Sequence, residues 1–284
     1  MLLRRSRNVK WLILNVELIK TQNEFNSELF CKLACGYYEL KTHLMKKITL
    51  IAVLIIFSLT TNAQKKKTFE LQGKAMCSSS WLFNNNISDL GPEEDYYNTF
   101  SINYGLAFNA YFGNAGIGAE ILFGNIRGGY TGTYDIKDPV TFAVISKVNY
   151  NSEVNIQTLQ VPLLFKLKGD KAMYLEIGPQ YNSVFTANYN YDANGAKPSD
   201  TDVSKYYSTY YFSGVLGFGA NIKLGESPIG ILIGARFQYG FTDLKGVSGR
   251  GYDLSDKKVF PDPAITMSAT TGLKLGVVYN FGEK

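Results

Sequence analysis

Leu159–Tyr181 reads LQVPLLFKLKGDKAMYLEIGPQY, and its alternation decides the fold. Leu159, Val161, Leu163, Phe165 and Leu167 fall on one side, with Gln160, Pro162, Leu164 and Lys166 on the other. After Lys168-Gly169-Asp170-Lys171 the pattern resumes. Met173, Leu175, Ile177, Pro179 and Tyr181 then oppose Tyr174, Glu176, Gly178 and Gln180. A period of two is the signature of a strand, and a short glycine-containing join between two such runs predicts an antiparallel hairpin.

The same pattern recurs in both directions, giving about eight runs between Phe69 and Phe281. Towards the C-terminus, Ile229, Ile231, Ile233, Ala235, Phe237, Tyr239 and Phe241 share a side, as do Leu273, Leu275, Val277, Tyr279 and Phe281. The run around Phe69–Ser78 is the weakest. The connections alternate strictly in length. Short joins at 113–116, 168–171 and 224–228 separate long ones at 79–97, 125–152, 188–205 and 243–265. A barrel threaded through an outer membrane sorts its connections this way, with tight turns on the periplasmic side and long loops outside. The expected fold is therefore all-β: an eight-stranded antiparallel up-and-down transmembrane β-barrel with short periplasmic turns and long extracellular loops.

A soluble barrel with an apolar ligand cavity is the competing reading, with its greasy face inward. Three features favour the membrane. The apolar faces run for about ten residues, which a tilted strand needs to cross a bilayer. Aromatics gather at strand ends as a girdle: Tyr206, Tyr207, Tyr210 and Tyr239 near the long loops, Tyr279 and Phe281 near the turns. The opposite face is rich in glycine with a few charges of both signs. Eight strands enclose only enough space for their own side chains. Glu120, Lys166, Glu176, Arg236 and Lys274 are thus expected to form a lumenal ion network with a structural role.

The N-terminal part reads differently. Met45-Lys46-Lys47, the apolar run Ile48–Leu59 and Thr61-Asn62-Ala63 have the order of a secretory signal, with a small-residue cleavage site before Gln64. The apolar run is too short to span as a helix. The domain reading is a mis-assigned N-terminal extension at 1–44, a signal peptide at 45–64 and the barrel at 65–284. The formal net charge of +5 comes from the leader: nine of 29 Lys/Arg and four of 24 Asp/Glu precede residue 65, leaving 20 of each. A nucleic-acid partner inferred from basicity has no support in what remains. Cys31, Cys35 and the single histidine, His43, also lie before residue 65, which leaves Cys77 alone and no disulfide framework.

On these residues the chain resembles the PorT-like small outer-membrane β-barrel proteins of Gram-negative bacteria. The resemblance is carried by the 45–64 signal, by Leu159–Lys166, by Gly178-Pro179-Gln180-Tyr181 and by the closing Gly276–Phe281, and it covers about 68–284. It implies outer-membrane residence, with membrane lipid and the barrel assembly machinery as partners. The aromatic Phe281 resembles an assembly signal, displaced here by Gly282-Glu283-Lys284. It implies no defined activity. Some relatives look like parts of protein-secretion machinery.

The leading functional expectation is a non-enzymatic barrel, without cofactor or metal, whose loops take a structural or surface-binding role. Glu93–Tyr97, Tyr130, Tyr134, Asp135, Tyr189, Tyr191 and Asp192 suit an extracellular protein or glycan ligand. A lipid hydrolase is disfavoured because residues 65–284 contain no histidine base. A solute pore is disfavoured because conducting barrels use more strands. Glu93-Glu94-Asp95 or Asp253 with Asp256 are the weak candidates for Ca²⁺.

Overall fold

The computed structural model describes residues 67–89, 94–169, 172–193, 199–246 and 264–281. The expected extension at 1–44 and signal at 45–64 lie outside the described residues. Ten strands form one sheet. Eight close into a ring: β1 (Lys67–Asn84), β3 (Thr99–Phe112), β4 (Ala115–Lys137), β5 (Val144–Lys168), β6 (Met173–Ala193), β8 (Tyr210–Lys223), β9 (Ile229–Gly240) and β10 (Thr266–Phe281). Two short strands lie against the wall, β2 (Glu94–Tyr97) on β4 and β7 (Ser199–Asp202) on β6. All pairings are antiparallel, and β10 closes on β1 from Phe281↔Phe69 to Thr266↔Asn84.

Following paired residues around the ring fixes the geometry. Leu71 faces Phe108, which faces Ala119, which faces Leu163. The path continues through Pro179, Gly214, Tyr239 and Ala269 and returns to Trp81, ten residues along from Leu71. Eight strands with that stagger tilt by about 40° and enclose a radius of about 8 Å. Side chains fill such a space.

The face expected to meet lipid is turned outward: Leu106, Ile121, Leu163, Ile177, Phe218, Ile233 and Leu275 are all exposed. The polar face is inward and buried. On β5 the outward apolar run ends at Leu159 and gives way to Gln157, Asn155 and Glu153. On β4 it ends at Phe123, before Asn125 and Arg127. Nine residues from Leu159 to Leu167 rise about 23 Å at that tilt, the height of a bilayer's apolar band.

The segments expected as long loops are largely strand. β4 has 23 residues and β5 has 25, so of 125–152 only 138–143 remains as a turn. β6 runs through 188–193, and β1 runs through 79–84. The reason is visible in the alternation, which continues past the membrane: Ile126, Tyr130, Val154, Ile156, Ala187 and Tyr189 all face inward and are buried. The wall therefore stands well above the bilayer as an extracellular crown with its own apolar core. That core also contains Leu82, Ile87, Val203, Tyr207, Tyr211 and Leu244.

At the opposite end the connections are tight. Only Gly113 and Asn114 separate β3 from β4, and Gly113 has φ 66°, a left-handed conformation glycine adopts without strain.

Candidate functional site

Three layers fill the interior. The lowest gathers on Glu70, whose carboxylate accepts from Lys168 Nζ at 2.5 Å, Gln72 Nε2 at 2.9 Å, Asn109 Nδ2 at 3.2 Å and Asn221 Nδ2 at 3.3 Å. The middle layer holds the five charges expected in the lumen, and the structure brings them together. Arg236 forks onto Glu120, Nη1 to Oε2 at 2.8 Å and Nη2 to Oε1 at 2.9 Å, and its Nε reaches Glu176 Oε1 at 2.9 Å. Lys166 Nζ lies 3.2 Å from Glu176 Oε2 and 3.5 Å from Glu120 Oε1, and Lys274 Nζ donates to Glu176 Oε1.

Sequence reasoning missed Lys74, whose Nζ donates to Glu120 Oε1 at 2.5 Å, and it also missed Glu70 and Lys168. The signal was present: Glu70, Gln72 and Lys74 alternate with Phe69, Leu71 and Gly73, but two small residues, Gly73 and Ala75, weakened the apolar face of that run. Space for the network is made by glycine. A Cβ at Gly217 would lie 2.6 Å from Glu176 Oε1, and one at Gly118 would lie 2.8 Å from Lys166 Cε.

Above the charges, amides and hydroxyls continue the filling. Gln160 Nε2 donates to Asn103 Oδ1 at 3.3 Å, Gln180 Nε2 to Asn182 Oδ1 at 2.6 Å, and Asn182 Nδ2 to Ser213 Oγ at 2.9 Å. The apolar crown core then caps the column. Charges are tied across the lumen, and buried apolar side chains fill its external mouth. What the layers do is cross-link opposite walls.

Of the tyrosines expected in the ligand-contacting loops, Tyr96, Tyr130, Tyr189 and Tyr191 pack in or against the crown core. Tyr130 Oη donates to Leu82 O at 3.1 Å, Tyr96 Oη donates to Asn84 O at 2.9 Å, and the two rings meet at a tilt with centroids 5.6 Å apart. Tyr189 is buried with them. Of the expected girdle, Tyr210, Tyr239, Tyr279 and Phe281 are exposed on the outer wall. Tyr206 and Tyr207 are not on that ring: they belong to the crown core, where a 3-10 turn at Ser204–Tyr206 folds the chain inward. Glu93, Asp253 and Asp256 lie outside the described residues.

Just above the lipid-facing band the crown's outer wall is hydrophilic. Asn125 Nδ2 donates to Asn155 Oδ1 at 2.9 Å, and Arg127 pairs with Glu153 at 3.3 Å. Tyr97 lies across Gly129, where a Cβ would come within 2.6 Å of its ring. Partial burial, and then Glu153 beside it, push the Tyr97 phenol above its ordinary pKa. A depression of about 340 Å³ marks the boundary with lipid, lined by Tyr104, Phe123 and Phe185 on the apolar side and Asn125, Asn155 and Gln157 on the polar side.

Residues 62–246 match a family model described as an outer membrane protein beta-barrel domain. No curated protein matches the chain. Among solved structures, neisserial surface protein A is similar at 10% identity and a TM-score of 0.37, over 74% of this chain and 96% of that one. Ail, the attachment invasion locus protein of Yersinia pestis, is similar at 11% identity and 0.33, over 77% and 100%. The outer membrane protease OmpT of Escherichia coli is similar at 9% and 0.30, over 77% and 97%. Likeness at this level carries no argument about activity.

Proposed function

The chain belongs to the outer membrane protein beta-barrel domain family and is a β-barrel protein of the Gram-negative outer membrane, and from that premise we propose that it is a non-enzymatic surface protein whose crown is the contact surface for extracellular partners. One observation carries this reading. β4 and β5 have 23 and 25 residues, where crossing the bilayer takes about 10. The excess is folded wall, packed on its own apolar core and faced with Asn, Thr, Gln and paired charges. A barrel kept only to fill membrane gains nothing from such an extension. An outward face of amides and hydroxyls suits an extracellular protein or glycan ligand, which it meets by hydrogen bonding.

The lumen network has a structural role in this reading, as do the outer-wall aromatics at the bilayer edges. Membrane lipid and the barrel assembly machinery are the remaining partners. The test compares cells displaying the natural chain with cells displaying Asn125→Ala/Thr131→Ala/Asn151→Ala/Asn155→Ala, which strips amides and a hydroxyl from the outward crown face. Both are scored for adhesion to immobilised glycans and extracellular proteins, with barrel assembly checked by heat-dependent gel mobility. Loss of adhesion with assembly retained is the expected result; equal adhesion overturns the reading.

Narrower membership in the PorT-like group, and with it a place in protein secretion, is supported by the sequence resemblance at Leu159–Lys166 and Gly178–Tyr181. Deleting the gene and measuring secreted protein tests it: unchanged secretion removes that role.

A further inference from the structure

The far end of the β4–β5 hairpin is apolar where solubility alone would call for polar residues. Val140 is 83% exposed and Phe142 is 76% exposed, and Ile136, Val144 and Ile145 are also exposed. These residues are remote from the barrel's own bilayer. From Phe123, where the outward apolar run ends, to Lys137 the strand climbs about 45 Å along its axis, at roughly 3.3 Å per residue. Beyond Gly132 on β4 and before Tyr150 on β5, the registers pair these strands only with each other. Among the described residues the tip is paired as a two-stranded ribbon.

Three properties of this tip specify what it meets. First, its apolar side chains crowd the apex: Val140 and Phe142 stand in the turn, with Val144, Ile145 and Ile136 just behind them among Lys137, Ser146 and Lys147. Second, the turn satisfies its own backbone donors. Asp138 N donates to Ala143 O at 2.8 Å, and Phe142 N donates to Asp138 O at 2.9 Å. Val140 N and Thr141 N both donate to Asp138 Oδ1 at 2.8 Å, Ala143 N reaches Thr141 Oγ1 at 3.5 Å, and residue 139 is proline. Pairing these N–H groups within the turn lowers the cost of bringing it into the interfacial region. Third, the charges around the tip balance. Lys137 and Lys147 flank the ribbon, with Asp135 cross-strand from Lys147 and the Asp138 carboxylate engaged by the turn. Two cations and two anions cancel, which matches a zwitterionic headgroup layer.

We infer that the 138–143 turn is a membrane-inserting tip, which docks the crown onto a phospholipid surface other than the one the barrel spans. The inference rests on the crown being an extracellular contact surface. Val140 and Phe142 enter the acyl boundary, and Lys137 and Lys147 meet lipid phosphates. The turn arrives already shaped: Phe142 is held at φ 57°, and the Asp138 bonds fix its presentation.

The test uses the full chain in nanodiscs, incubated with phosphatidylcholine vesicles. Co-flotation is expected for the natural chain and should fall about tenfold or more for Val140→Asp/Phe142→Asp, since two apolar side chains are lost from the acyl region. The indole introduced by Phe142→Trp, read against the natural chain's Trp11 and Trp81 background, should be quenched by vesicles with brominated acyl chains. Undiminished flotation of the double variant, or emission from the introduced indole that is indifferent to brominated lipid, overturns the inference. Lysine labelling of intact cells separates the two readings. If Lys137 and Lys147 are labelled from outside but no vesicle binds, lipid insertion fails while the contact-surface reading stands, and a protein pocket becomes the tip's partner. If neither lysine is labelled, both readings fail.

Discussion

Glu120 shows what one side chain can hold. It accepts a forked guanidinium from Arg236 and a bond from Lys74, at 1% exposure. Removing it as Glu120→Ala leaves cations facing one another across a narrow space, and a broken buried pair costs about 3–5 kcal/mol. The refolded barrel should unfold at clearly lower urea, and an unmoved midpoint would show that the network is energetically idle. Asp138 supports a pH prediction. Bonds from the Thr141 and Val140 N–H groups hold its carboxyl below the usual carboxylate range. The folded value thus lies below the unfolded one, so the turn's added stability is full above the ordinary carboxylate pKa and is lost as pH falls through the lowered value. Amide exchange at 140 and 141 should lose protection over that acidic window, and Asp138→Ala should lack it at every pH. The five charges of Glu120, Lys166, Glu176, Arg236 and Lys274 were legible in sequence because each sits on the even side of a clear alternation. Which cation meets which carboxylate was not, because that depends on the stagger of the ring.

Among the elements, the strands were legible over their lipid-facing length and illegible above it. Periodicity marks Leu159–Leu167 sharply because one side must be apolar. Past Gln157 the outward side becomes Asn and Glu while the inward side, polar at Thr158 and Gln160, becomes apolar at Ile156 and Val154, so the polarity of the two faces reverses. A reader following outward apolarity sees the strand stop there, although its backbone continues. Tyr130 and Tyr189 look like loop aromatics for the same reason. Because the crown has a separate core, Val154→Ala or Ile156→Ala should cost about 1–4 kcal/mol of crown stability. Protease access to 125–155 should rise in those variants, while heat-dependent gel mobility of the barrel stays unchanged. A uniform loss of both would mean the two parts fold as one unit.

For the molecule as a whole, the charged layer and the apolar plug act in series. Reconstituted in planar bilayers, the chain should carry no stable solute-sized current. Glu120→Ala should also remain closed, because the plug around Leu82 and Tyr211 persists; a steady conductance in either would show a path that side chains do not block. The seam between β1 and β10 has a further consequence, for time as well as shape. Its sixteen facing pairs join Lys67–Asn84 to Thr266–Phe281, nearly the whole barrel sequence apart. Contacts so distant along a chain form slowly, since every intervening residue must first be restrained. No ring can exist while the ribosome is still making the last strand. Until Thr266–Phe281 arrives, β1 and β9 each keep an edge without its partner strand, and the circle stays open.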